Sequence, residues 1–215
     1  MNEKILDKLN KHFSGSKTES YSKGKILIFA NHEPEGVSFL LDGIIEQYDI
    51  TPEGNKITVN VFKPPAFFPM SWAINKTPNT YFYATLTDVK LKRAEAEGTV
   101  DFLKGNPDVM FDLLSRVYKG TDALLRRLVF AASGRAANRL IFELLIEAYR
   151  FGVVNSDGTV SVKIKQGVLA DRCGLARETI SRELHKLETD NIVLRNNKDI
   201  QIDIKRMEAK LNFTV

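Results

Sequence analysis

The densest chemistry in this chain lies in Arg177, Glu178, Ser181 and Arg182: two cations, a carboxylate and a hydroxyl within a few positions. With His185 they recur at steps of one and three, which places all five on one face of a helix. An arginine fork meets O6 and N7 of guanine in a bidentate way, and a glutamate accepts from the amino group of cytosine. Such side chains reach base edges from the N-terminal end of a helix lying in the major groove. Thr179 and His185 on the same helix, with Lys165 and Gln166 at the start of the helix before it, are expected to hold backbone phosphates. Arg195, Asn197 and Lys198, in the hairpin that follows, would add to these contacts.

The neighbouring residues position that face. Val168, Leu169 and Cys173 make an inward stripe on a first helix over 166–173, and Gly174 permits the sharp turn after it. Leu175 plugs the angle between the helices, and Ile180, Leu184 and Leu187 form the buried stripe of the second helix over 177–189. A solvated face with Arg–Glu pairs is the plain alternative. A turn glycine, a buried stripe and a following hairpin, all in register, favour groove reading. The order strand (160–164), helix, turn, helix, then strands over 192–195 and 200–204 is that of a winged helix-turn-helix.

Upstream, the first third reads as short strands over 25–30, 36–41, 44–50, 57–62, 81–86 and 88–93. Asp42-Gly43, the 51–55 turn and Pro64-Pro65 punctuate them, which predicts a small antiparallel barrel or sandwich. From Asp108 to Ala132 the pattern becomes helical. Met110, Leu114, Val117, Thr121, Leu124, Leu128 and Ala131 fall at alternating steps of four and three, a heptad seam suited to a partner helix. A single amphipathic core helix is the other reading, but apolarity on two sides favours a dimer helix. The second stripe, Leu113, Leu125 and Val129, is expected to face the strand domain. Ser133-Gly134 breaks the helix, Ser133 being a candidate cap for the next one over 135–151. Three regions follow: 1–105, a dimerisation helix and hinge over 106–133, and 134–215.

Bulk properties bound the function. The 215 residues, 43% hydrophobic and 27% charged, suit an ordinary globular protein. Net charge is +4, with 14 Lys/Arg against 11 Asp/Glu over 134–215 and 12 against 12 over 1–98, so the excess lies toward the C-terminal end. No apolar run suits a membrane span and no signal-peptide core is present, so the expectation is cytoplasmic. Cys173 is the single cysteine, and the three histidines are scattered, so neither metal nor cofactor is expected. His32 reads as a surface loop residue rather than a haem ligand. There is no Gly-rich phosphate loop, nucleophile elbow or acid–base constellation, and an enzyme is not expected.

Gly174, Arg177-Glu178-Thr179, Arg182 and Leu187-Glu188 closely resemble the C-terminal domain of the Crp–Fnr family of bacterial transcription factors. Asn106-Pro107-Asp108, Gly134-Arg135 and the Asp42-Gly43 turn extend the resemblance over nearly the whole chain. It implies an α+β chain: an N-terminal antiparallel β-roll of cyclic-nucleotide-binding type (a double-stranded β-helix or jelly roll), a long dimerisation helix, and a C-terminal winged helix-turn-helix. It further implies a homodimer on an inverted-repeat site in double-stranded DNA, in contact with RNA polymerase. By the family pattern Arg177, Glu178 and Arg182 read bases with Ser181 assisting, and Thr179 holds phosphate.

One departure matters. Members that bind cyclic AMP carry Gly-Glu and then Arg-Ser/Thr between two late strands of the roll; here stand Phe68-Pro69-Met70-Ser71-Trp72 and Asn79-Thr80-Tyr81. Without the arginine a cyclic phosphate has no charge partner, so cyclic AMP is not expected to bind in the usual way. Phe62, Phe67, Phe68, Met70, Trp72, Tyr81 and Tyr83 cluster around that place. They either fill the core of the roll or line a pocket for an apolar effector of unknown identity. Cys173, at a core position, reads as an inert thiol rather than a redox switch.

Overall fold

The computed structural model describes residues 3–132, 134–196 and 199–211. Ser133, Asn197 and Lys198, given roles above, lie outside them. Two compact units emerge: Met1–Thr51 with Thr58–Thr121, and Pro52–Ile57 with Asp122–Val215.

The first unit holds two four-stranded antiparallel sheets. One runs β1 (Thr18–Tyr21), β8 (Val89–Ala94), β3 (Val37–Asp42), β6 (Ala66–Phe68); the other runs β2 (Ile26–Ile28), β7 (Phe82–Thr85), β4 (Ile45–Ile50), β5 (Lys56–Phe62). Leu40, Phe68, Val89 and Leu91 from the first meet Ile28, Ile45 and Tyr83 from the second in one core. Val37 and Phe39, on the alternate face of β3, join a second core with Ile5 and Leu9 of α1 (Glu3–His12), Ala73 of α2 (Met70–Asn75) and Leu103 of α3 (Ala96–Gly105). Strand β3 is therefore buried on both faces, which is why it reads as a near-continuous apolar run. Gly43 opens the β3–β4 connection at φ 88°, where a Cβ would stand 2.2 Å from the carbonyl oxygen of Asp88, so only glycine fits.

The sequence reading missed α1, α2, α3, β1 and β6. These helices span ten residues or fewer, too short a window for a period to stand out, although Ile5 and Leu9 of α1 do keep a helical spacing.

α1 and α3 meet through His12, whose ring stacks on Phe102 at 4.3 Å and whose Nε2 lies 3.2 Å from Thr99 Oγ1. Burial holds its pKa below the ordinary value. The unfolded chain then takes up the proton more readily. The neutral ring's contribution is complete above the unfolded value of about 6.5 and is lost as pH falls through it toward the lower folded value. The urea midpoint of the protein is expected to fall between about pH 7.5 and pH 5, and His12→Gln should flatten that fall. Equal pH dependence in both proteins would reject this linkage.

Helix α4 (Pro107–Ala132) carries the seam. Met110, Leu114, Val117, Leu124 and Leu128 are all exposed, between 41% and 65%, and Thr121 is exposed with them. Of the second stripe only Leu113 packs on the roll; Leu125 and Val129 are 55% and 65% exposed, against expectation.

The second unit is built on α5 (Ala136–Phe151), which is buried from Leu140 to Ala148. Around it lie α6 (Gln166–Cys173), α7 (Arg177–Thr189), α8 (Ile204–Leu211) and a sheet in the order β11 (Val193–Asn196), β12 (Asp199–Ile202), β10 (Val160–Val162), β9 (Val153–Val154). Leu140, Leu144, Leu169, Ile180, Leu184 and Ile202 are completely buried in its core. Among the described residues no helix is long and apolar enough to cross a membrane.

Candidate nucleic-acid interface

Helix α6 ends at Gly174, whose left-handed backbone (φ 61°, ψ 44°) returns its N–H to the carbonyl of Ala170. Leu175 then packs on the core between the helices, and Ala176, extended, starts α7. Ile180, Leu184 and Leu187 are at most 3% exposed. Their burial fixes the rotation of α7 and turns Arg177, Glu178, Ser181, Arg182 and His185 to solvent together. Lys165, just before α6, is exposed, while Gln166 and Thr179 are half-buried. The structure thus gathers on one side of two helices the residues expected to read bases and several of those expected to hold phosphate.

The charges on this side are partly engaged. Glu183, buried on α7, accepts from Lys186 Nζ at 2.8 Å and lies 3.4 Å from Arg182 Nε. Lys186 first, then Arg182, hold its carboxyl below the ordinary range. Arg195 grips Glu188 with both arms, Nε donating to Oε1 at 2.7 Å and a terminal nitrogen to Oε2. That fork ties β11 to α7 and keeps the Glu188 carboxyl low. His185 Nδ1 stands 3.8 Å from the same carboxylate. Arg195 was expected to meet phosphate and instead spends its fork inside the unit. No local spacing announces the pair, seven residues apart across a turn.

Below the interface lies a charged layer that sequence reasoning also missed. Arg127, at the end of α4, donates to both oxygens of Glu143, one bond measuring 2.9 Å, and Arg172 of α6 donates to Glu147. The side chains of Glu143, Glu147 and Arg172 are 2%, 8% and 4% exposed. Glutamates inside a continuous buried stretch of α5 were the available signal. Cys173 sits beside this layer, and burial drives its thiol far above the ordinary value, as befits an inert core residue.

Of the candidate effector residues, Phe68 and Tyr83 are buried and stacked at 5.4 Å inside the roll, with Phe62 tilted against both. Tyr81 packs at the edge of the same core, whereas Met70 and Trp72 pack on the other one. Phe67 joins Met70 and Trp72 there. The aromatics therefore divide between two cores. No group of three or more metal-ligating side chains comes together among the described residues.

A β-roll, a long helix and a winged helix with a polar, cation-bearing recognition face define a DNA-binding transcription regulator. A family model described as a Crp-like helix-turn-helix domain matches residues 135–209, and one described as a cyclic nucleotide-binding domain matches residues 18–106. The chain belongs to the Crp–Fnr family of transcription regulators. It is 28% identical over 191 residues to the global nitrogen regulator of a Nostoc species, covering 86% of this chain and 84% of that protein. It is 25% identical over 196 residues to the transcriptional regulator SdrP of Thermus thermophilus, covering 89% and 92%. Solved structures share the fold. A CRP/FNR-family regulator from Thermus thermophilus has TM-score 0.73 at 22% identity, covering 91% of this chain and 98% of that one. A CooA variant from Carboxydothermus hydrogenoformans has TM-score 0.79 at 17% identity, covering 96% and 95%.

Proposed function

We propose that two copies of this chain, joined through α4, bind an inverted-repeat site, with Arg177, Glu178 and Arg182 reading bases in each half and Ser181 assisting. The observation that carries this reading is the exposed row of these four side chains above a completely buried stripe on α7. Lys165, Gln166, Thr179, His185 and Lys198 hold phosphates on either side, and Arg195 contributes only to the extent that Glu188 releases it. The exposed apolar seam from Met110 to Leu128 supports the dimer, since an uncovered stripe of that length on a monomer is unusual. Contact with RNA polymerase follows the family.

The effector is something other than cyclic AMP, or there is none. Phe68 and Tyr83 stack on each other inside the roll, and this filled interior favours a second reading of the roll as a protein-interaction module. A single site formed by Phe68, Met70, Trp72, Tyr81 and Tyr83 would have to draw on both cores, since Met70 and Trp72 pack in one and Phe68, Tyr81 and Tyr83 in the other.

The test uses a duplex that the protein selects from a randomised pool, with binding followed by fluorescence anisotropy. Arg177→Ala is expected to cost roughly 1–3 kcal/mol and to relax preference at one base pair of each half-site. Millimolar cyclic AMP should leave the affinity unchanged. Wild-type affinity in Arg177→Ala would reject base reading by this residue, and tightening by the nucleotide would reject the account of the roll.

A further inference from the structure

Arg177 opens α7, yet its guanidinium lies back across the turn onto the first turn of α6. A Cβ built on Gly167 would stand 3.1 Å from a terminal guanidinium nitrogen, 3.2 Å from Nε and 3.3 Å from Cζ. Any side chain at 167 would push against this group, which rests on the bare backbone. One helical turn further along the same face of α6 is Asp171. Burial pushes its carboxyl above the ordinary value, and Lys56 and then Arg177 pull it back down. Lys56 Nζ itself is 4.0 Å from the carboxylate.

We infer that Gly167 is a positioning residue for Arg177: α6 offers a glycine floor that holds the guanidinium in one presentation, with the Asp171 carboxylate one turn along the same helix adding attraction rather than a contact. This inference rests on the reading of Arg177 as a base-reading side chain. An unrestrained arginine must freeze several torsions on meeting a base, and a bidentate fork tolerates little error in direction. A seat on the neighbouring helix supplies both the order and the direction before DNA arrives. The carboxylate also limits how far the cation serves as a general phosphate binder, because it offsets part of the charge that any sequence would attract.

The seat makes an unusual prediction for Gly167→Ala. Position 167 is helical, and alanine is the better helix former, so the thermal midpoint should hold or rise. The new methyl group meets only the mobile end of Arg177. Selectivity at the base pair relaxed by Arg177→Ala should nevertheless fall about 3- to 30-fold, within the range a good bidentate contact supplies. Asp171→Asn should lower the same ratio while tightening binding to a random-sequence duplex. In the Arg177→Ala background neither substitution should change the ratio further.

The experiment measures that ratio by anisotropy for wild type, the three single variants and the two double variants, using the selected duplex and its singly substituted partner. It also records the Arg177 Nε–H resonance of the DNA-free protein by NMR. An unchanged ratio in Gly167→Ala, or an equal fall when Arg177 is already alanine, overturns the inference. Should Arg177→Ala itself leave the ratio unaltered, base reading by Arg177 fails, and the positioning role fails with it. The seat as a structural fact is judged separately: an Arg177 Nε–H at the free-arginine position, unmoved by Asp171→Asn, overturns it.

Discussion

Glu147→Ala is expected to destabilise the winged-helix unit by about 3–5 kcal/mol, as much as truncating a large apolar side chain in its core. The side chains of Glu147 and Arg172 are 8% and 4% exposed, and the glutamate accepts directly from the guanidinium. Removing the carboxylate leaves Arg172 charged, buried and short of a partner. Its Nε already lacks a hydrogen bond among the described residues. Attraction between the charges does not by itself stabilise the fold by that amount; most of the loss is the cost of a stranded cation. The control is the exposed pair of Lys104 and Asp101, at 2.9 Å with both side chains more than 65% exposed. Asp101→Ala should shift stability by well under about 1 kcal/mol. Urea unfolding followed by circular dichroism checks both. Comparable small effects would show that the buried layer is solvated.

If two copies pair through α4 as proposed, Leu124→Asp is expected to leave monomers and to weaken binding to the selected inverted repeat by a factor of about 10² to 10⁴, the loss expected when two heads are no longer linked. Leu124 is 42% exposed in the single chain, so the fold of one copy loses little by the change. Across a two-fold seam, however, each aspartate would be taken out of water beside its symmetry mate. Sedimentation velocity reads the mass and anisotropy reads the affinity. A variant that remains dimeric would reject the seam as the interface. Monomers that still bound with wild-type affinity would reject the two-headed mode of recognition.

The parts legible in the sequence are those whose signals are local. Helices α6 and α7 are read over the same residues the structure gives them, because Gly174 marks the turn and Ile180, Leu184 and Leu187 mark the buried stripe. Strands β3, β4 and β5 are recovered to within a residue or so because Gly43 and the 51–55 turn bracket them. Helices α1, α3 and α8 went unread because each spans only eight to ten residues, even though Ile5 and Leu9 of α1 and Ile204, Met207 and Leu211 of α8 keep a helical spacing. Leu125 and Val129 are exposed where a covered face was expected. A stripe shows that a face is apolar, not what covers it.

The sequence by itself determined the family, the helix–turn–helix of α6 and α7 and the residues that face outward on α7, because turn glycines and periodicity act over a few neighbours. Tertiary structure alone decided the state of each of those side chains. Arg195 is turned inward by Glu188, Arg182 is shared with Glu183, and Arg177 is laid on Gly167 beside Asp171. It also decided that Phe68 and Tyr83 stack inside the roll while Met70 and Trp72 pack elsewhere. These outcomes depend on pairs brought together from separate elements, with distances set by how helices and sheets pack, and no spacing along the chain encodes them.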